Sequence, residues 1–180
     1  LVVPLTLREA GMEANDHWQI YLPVLLLSVV CIIPAIIYAE KKAKLKPVFI
    51  AAIAILLLGQ ILLAITADSI TATAIALWVF FTAFNLLEAS LPSLISKIAP
   101  VGAKGTAIGI YSSTQFLGAF AGASIGGYLF GNFGSQSLYS FCGLLLAVWL
   151  VLAITMKTPA AVRSKMYSVQ AMDLGQSKEL

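Results

Sequence analysis

Charge is scarce in this chain, and the residues that most often carry enzyme chemistry are scarcer. Asp, Glu, Lys and Arg together make up 11% of the 180 residues, with one histidine and two cysteines. Cys31 and Cys142 fall inside apolar runs, which fits buried free thiols and suits neither a disulfide framework nor a metal site. His17 stands beside Trp18 without the neighbours that acid–base or metal chemistry requires, and is expected at a membrane interface. No glycine-rich phosphate loop is present, so this segment is not expected to use ATP. No soluble-enzyme motif is found, and neither a cofactor nor a nucleic-acid partner is expected. What fills the chain is apolar: 60% hydrophobic residues and a mean hydropathy of +0.95. That is too apolar for a soluble domain and fits an all-α polytopic membrane protein. The chain starts at Leu1 inside an apolar run, without an initiator Met or a signal-peptide pattern, and reads as a piece of a longer protein.

In order along the chain, residues 1–7 read as the end of a helix and residues 8–17 as a polar loop. Residues 18–39 are the first complete span, with Trp18, Tyr21 and Tyr38 placed as an aromatic belt would place them. Pro23 lies in its first turns, and the interior Pro34 is expected to kink it. A basic turn, residues 40–46, leads to a span over 47–67. Asp68 and Ser69 form a tight turn, with Asp68 available to cap the next helix, which runs from Thr71 to about Lys97. The turn 100–105 leads into a glycine-rich span, 106–130; residues 131–136 read as a short loop and 138–156 as the last span. All five runs reach or approach the ~20 residues needed to cross the hydrocarbon. Residues 157–180 form a polar tail or linker.

The basic residues orient these spans. Ten of the eleven fall on the side of the 40–46 turn: Lys41, Lys42, Lys44, Lys46, Lys97, Lys104, Lys157, Arg163, Lys165 and Lys178. Only Arg8 falls on the other side, whose loops carry Glu9, Glu13, Asp16 and Asp68. By the positive-inside rule the basic side and the tail are cytoplasmic.

One carboxylate, Glu88, sits inside a span. It precedes Lys97 by nine residues, about 13 Å of helix rise. Its side chain is too short to reach the surface from there, so it must face protein or a water-filled cavity. Asn85 lies at i−3, and Thr82 extends the same polar stripe, so Asn85 is expected to hydrogen-bond Glu88. Intramembrane acids usually line a pathway; the plainer alternative is an acid that fixes helix packing. Ser112, Ser113, Thr114 and Gln115 cluster within the glycine-rich span and could line a cavity, with Gln115 the best candidate because its amide both donates and accepts. Gln60 is a weaker pathway candidate, explained equally well by an interhelical hydrogen bond. Gly118, Gly122 and Gly126 recur every four residues and are expected to pack against a neighbouring helix.

The run IPAIIYAEKKAKLKPVF resembles a degenerate copy of the major facilitator loop motif G-x-x-x-D-R/K-x-G-x-R/K-R/K. Glu40 takes the acidic position, Lys41 the basic one and Lys46 the closing basic one; Ile36 and Ala43 replace the glycines and Leu45 one basic residue. LPSLISKIAPVGAKGTAIGIYSSTQFLGAFAGASIGGYL is similar to the passage from helix 10 to helix 11 in drug:proton antiporter-like members, with Lys104, Gly105, Ala107 and Gly109 on the R/K-G-x-A-x-G pattern. The pairing of YAEKK with FNLLEASLPS resembles the YajR type of bacterial inner-membrane transporter, which carries a small cytoplasmic domain after helix 12; the tail does not visibly match one.

The resemblance covers residues 1–157 and implies the C-terminal six-helix half of a major facilitator fold: the end of helix 7 and five complete transmembrane helices. It implies a multi-pass protein of the bacterial inner membrane whose partners are the lipid bilayer, the N-terminal half of the same transporter, a small organic substrate and protons. Export by alternating access would be coupled to a proton carried or sensed by Glu88, and Glu40 and Lys41 would act at the cytoplasmic contact between halves. A different class remains open at this point, a non-transporting helical scaffold or assembly subunit that oligomerises through the glycine face.

Overall fold

A computed structural model of the chain describes residues 2–41, 45–66, 69–100 and 102–156, without the side chains of Glu9, Glu40 and Lys41. Every described element is helical: α1 (Val3–Glu9), a 3-10 turn (Ala14–Asp16), α2 (Trp18–Lys41), α3 (Leu45–Ile65), α4 (Ile70–Ile98) and the helical run α5 (Lys104–Thr155). In lipid a backbone N–H or C=O has no water to bond, so apolar segments satisfy these groups along their own axis. α2, α3 and α4, with 24, 21 and 29 residues, all cover a ~30 Å hydrocarbon layer at about 1.5 Å per residue.

α5 has 52 residues and would extend about 78 Å, far more than one crossing. Gly134 divides it, with φ 77° and ψ −179°, a backbone region that glycine alone occupies at little cost. The limbs 104–133 and 135–155 are each long enough to cross. The chain reverses between them: Gln60 and Tyr139 meet toward one end of α3, and Lys46 and Ile154 meet at the other. The loop expected over 131–136 is therefore one glycine. Its polar residues do not leave the helix. Asn132 Nδ2 donates to the Tyr128 carbonyl of its own limb, and Ser137 Oγ, just past the expected loop, donates across Gly134 to that of Phe133, both at 2.9 Å.

Other boundaries shift by similar logic. α1 takes up Arg8 and Glu9 from the expected loop. α2 continues through Lys41 and α3 begins at Leu45, so Glu40 and Lys41 end one helix and Lys46 starts the next. α4 is capped by Ser69, whose side chain accepts from the Ala72 N–H at 3.4 Å; Asp68, expected in that role, lies outside the described residues. α2 runs unbroken through Pro34, and α4 through Pro92. Each proline lacks the N–H that would bond four residues back, so the carbonyls of Val30 and Glu88 lose their usual donors.

Two apolar clusters hold the helices together. One joins Leu7, Ile20, Val24, Leu63, Leu77 and Tyr139; the other joins Ile53, Leu56, Ala83, Leu86, Leu87 and Ala153. His17 is buried rather than on the surface; its ring meets Tyr21 edge-on, and Nε2 finds no partner among the described residues. The first limb of α5 is exposed along most of its length. A Cβ on Gly118 or Gly122 would meet nothing within 4 Å, so no described helix packs on that part of the expected stripe; Gly126 alone of the three is buried. The close glycine contact is at Gly59, where a Cβ would fall 2.8 Å from the Phe80 Cα.

Candidate functional site

α4 presents its polar residues to two different neighbours. Asn85 Nδ2 donates to Ser28 Oγ on α2 at 2.9 Å, and Ser28, fully buried, donates in turn to the Leu25 carbonyl at 2.7 Å. Asn85 is thus a packing residue between α2 and α4, not the partner expected for Glu88. An i, i+3 pair shares a face only approximately, and the 60° between the two positions separates two neighbouring helices here. Thr82, expected to extend the stripe, bonds back to the Trp78 carbonyl at 2.7 Å.

Glu88 turns instead to α5. Gln115 Nε2 donates to Glu88 Oε1 at 2.6 Å. Tyr111 lies one turn before Gln115 on the same face of α5. Sequence reasoning singled out Gln115 but missed Ser28, the partner of Asn85. Both Glu88 and Gln115 are exposed on the surface of this chain. Thr114 is spent on the Ile110 carbonyl at 2.9 Å, while Ser112 is half-buried and Ser113 exposed.

The remaining candidates stand apart from this pair. Gln60 is buried, and its Nε2 donates to the Tyr139 carbonyl at 3.4 Å, tying α3 to the second limb of α5. It lines a hollow with Tyr21, Leu77 and Phe81 that does not include Glu88. A second hollow, between α2, α3 and α4 and lined by Ile36, Phe49, Leu87 and Ser93, does not include Glu88 either. Lys46 Nζ donates to the carbonyl oxygens of Ile154, at 3.2 Å, and Met156. These are carbonyls that the end of a helix leaves without intrahelical donors, at the negative end of its dipole. Among the described residues no group of three His, Cys, Asp or Glu side chains is placed to hold a metal.

Fold and site together define an all-α, multi-span membrane protein whose Glu88–Gln115 pair lies on a face its own helices leave uncovered. Residues 10–169 match the Major Facilitator Superfamily profile, and the chain belongs to that superfamily. It is 42% identical over 171 residues to the inner membrane transport protein YajR of Escherichia coli K12, covering 95% of this chain and 38% of that protein. Two uncharacterised transporters of Buchnera aphidicola also match: 30% identity in the subspecies of Acyrthosiphon pisum, over 67% of this chain and 31% of the relative, and 31% in that of Baizongia pistaciae, over 86% and 40%. The chain thus spans between about three and four tenths of the length of these relatives. No solved structure matches it.

Proposed function

We propose that this chain is the C-terminal half of a secondary active transporter that exports a small organic compound in exchange for protons, with Glu88 as the proton-carrying group. The observation that carries the reading is the Glu88–Gln115 bond on an uncovered face. A carboxylate and an amide are too costly to leave against lipid, so this face belongs against a second body or a water-filled cavity. In the major facilitator arrangement the second body is the N-terminal half, and substrate binds near the midplane between the halves. The same placement serves the exposed Gly118 and Gly122.

A carboxyl at such an interface changes its need for water when it gains a proton, so its protonation biases which conformation the two halves adopt. The protein would lie in a bacterial inner membrane, as the name of the Escherichia coli relative says of that protein, with the basic end and the tail in the cytoplasm. Glu40 and Lys41, ending α2 at the basic end, would meet the N-terminal half there. Lys46 drops out of that contact, because it is engaged within this half.

The test is Glu88→Gln in the full-length protein reconstituted in lipid. It mimics the neutral acid, so folding should be kept and proton-coupled transport lost. Transport with the wild-type pH dependence would make Glu88 a structural acid.

A further inference from the structure

In the spanning helices α2 to α5, Glu88 is the one charged residue that stands away from a helix end. Glu40, Lys41, Lys46, Lys97 and Lys104 all lie in terminal turns. An ionised carboxylate at membrane depth needs a proton or a cation to neutralise it. No basic residue of this chain stands at that depth. Lys97 lies nine residues beyond Glu88 and Lys104 eleven before Gln115, each more than about 13 Å of helix rise away. Tyr111, one turn before Gln115, is the nearest titratable group on that face of α5, and its phenol brings no positive charge.

The Glu88–Gln115 bond also fixes the register of two helices. α4 and the first limb of α5 follow each other through residues 99–103 and run in opposite directions. The bond therefore sets Phe84 level with Ala119 and Phe81 level with Gly122, on the side of the pair away from Lys97. Phe84 and Phe81 precede Glu88 by four and seven residues, so they share its stripe on α4. The Phe84 ring stacks on Phe80, with centroids 6.2 Å apart and planes at 8°, and meets Phe81 edge-on at 6.5 Å. The main chain of Phe80 lies against Gly59 of α3, so the aromatic group is held from behind, while Phe84 stays 42% exposed. Opposite it, α5 offers Gly118, Ala119 and Gly122, and a Cβ on either glycine would meet nothing within 4 Å. One helix thus supplies an acid and an aromatic wall, and the other almost no side chain.

We propose that this strip takes an organic cation with an aromatic body, its charge at Glu88 and its body along Phe84, Gly118 and Gly122. The proposal rests on the reading of Glu88 as the proton-carrying group, and it makes cation and proton rivals for one carboxylate. A cation that binds displaces the proton to water, so the occupied site is neutral with either one. Aromatic faces attract cations, and the glycines leave room for the body. An anion would be repelled by Glu88, and a neutral compound would leave the ionised acid without a partner.

The experiment measures binding to the full-length protein in lipid nanodiscs, with the signal of empty nanodiscs subtracted. The probes are tetraphenylphosphonium, benzyltrimethylammonium and, as a neutral aromatic match, triphenylphosphine oxide. Wild type should bind at least one of the two cations more tightly than the oxide and release protons into weakly buffered solution as it does so. Glu88→Gln should weaken cation binding about 30-fold or more and abolish the release. Phe84→Leu should weaken it about 2- to 30-fold, and Phe84→Tyr, which keeps an aromatic face, should restore it. Binding of neither cation, cation binding unchanged in Glu88→Gln or in Phe84→Leu, or the oxide bound as tightly as the cations, would overturn the proposal alone, since proton-coupled transport still rests on Glu88. Transport by Glu88→Gln with the wild-type pH dependence would overturn the reading of Glu88 as the proton carrier, and this exchange with it.

Discussion

Gly59 of α3 lies directly against the main chain of Phe80 on α4, so close that a Cβ on Gly59 would fall 2.8 Å from the Phe80 Cα and 2.9 Å from its nitrogen. Backbone atoms cannot yield as a flexible side-chain end can, so a methyl group here would push two helices apart. Gly59→Ala should cost about 1–3 kcal/mol, in the range for overpacked cores. The full-length protein should melt at a lower temperature in detergent, and an unchanged melting temperature would mean that α3 and α4 sit farther apart than described.

Asn85 and Glu88 should separate in function, although one helical turn holds both. Asn85→Ala removes the bond to Ser28 between α2 and α4, at a cost of about 0.6–2 kcal/mol for an interhelical bond in a membrane. Stability should fall while the pH dependence of transport stays as in wild type. A changed pH profile with unchanged stability would return Asn85 to the pathway.

Lys46 should matter to the end of the last helix. Lys46→Met removes the cation from the Ile154 and Met156 carbonyls, a contribution of about 0.3–1 kcal/mol at a helix C-terminus. Deuterium uptake at residues 152–156 should rise, with Lys46→Arg restoring protection. Unchanged uptake would show that the helix end holds without this contact.

Single cysteines at Asn15 and Ser177 should be labelled by a membrane-impermeant reagent from opposite sides. The ten-to-one division of basic residues sets this expectation. Labelling of both from the same side would contradict the assigned topology.

Sequence alone determined the class of this protein. Apolar runs of spanning length, broken by short polar turns, admit few structures in lipid, because every backbone group must be bonded within its own segment. Glu88 and Gln115 were legible for a related reason: a polar side chain at membrane depth is expensive enough to stand out. Tertiary structure decided which neighbour each polar residue meets. Asn85 and Glu88 are three residues apart, yet one turns to Ser28 and the other to Gln115, a choice made by where α2 and α5 lie around α4. It also decided which glycine is a contact. Gly118 and Gly122 repeat with the right period but face open space, whereas Gly59, with no repeat around it, touches a backbone. Periodicity places residues on one face of a helix, but only packing puts another helix against that face.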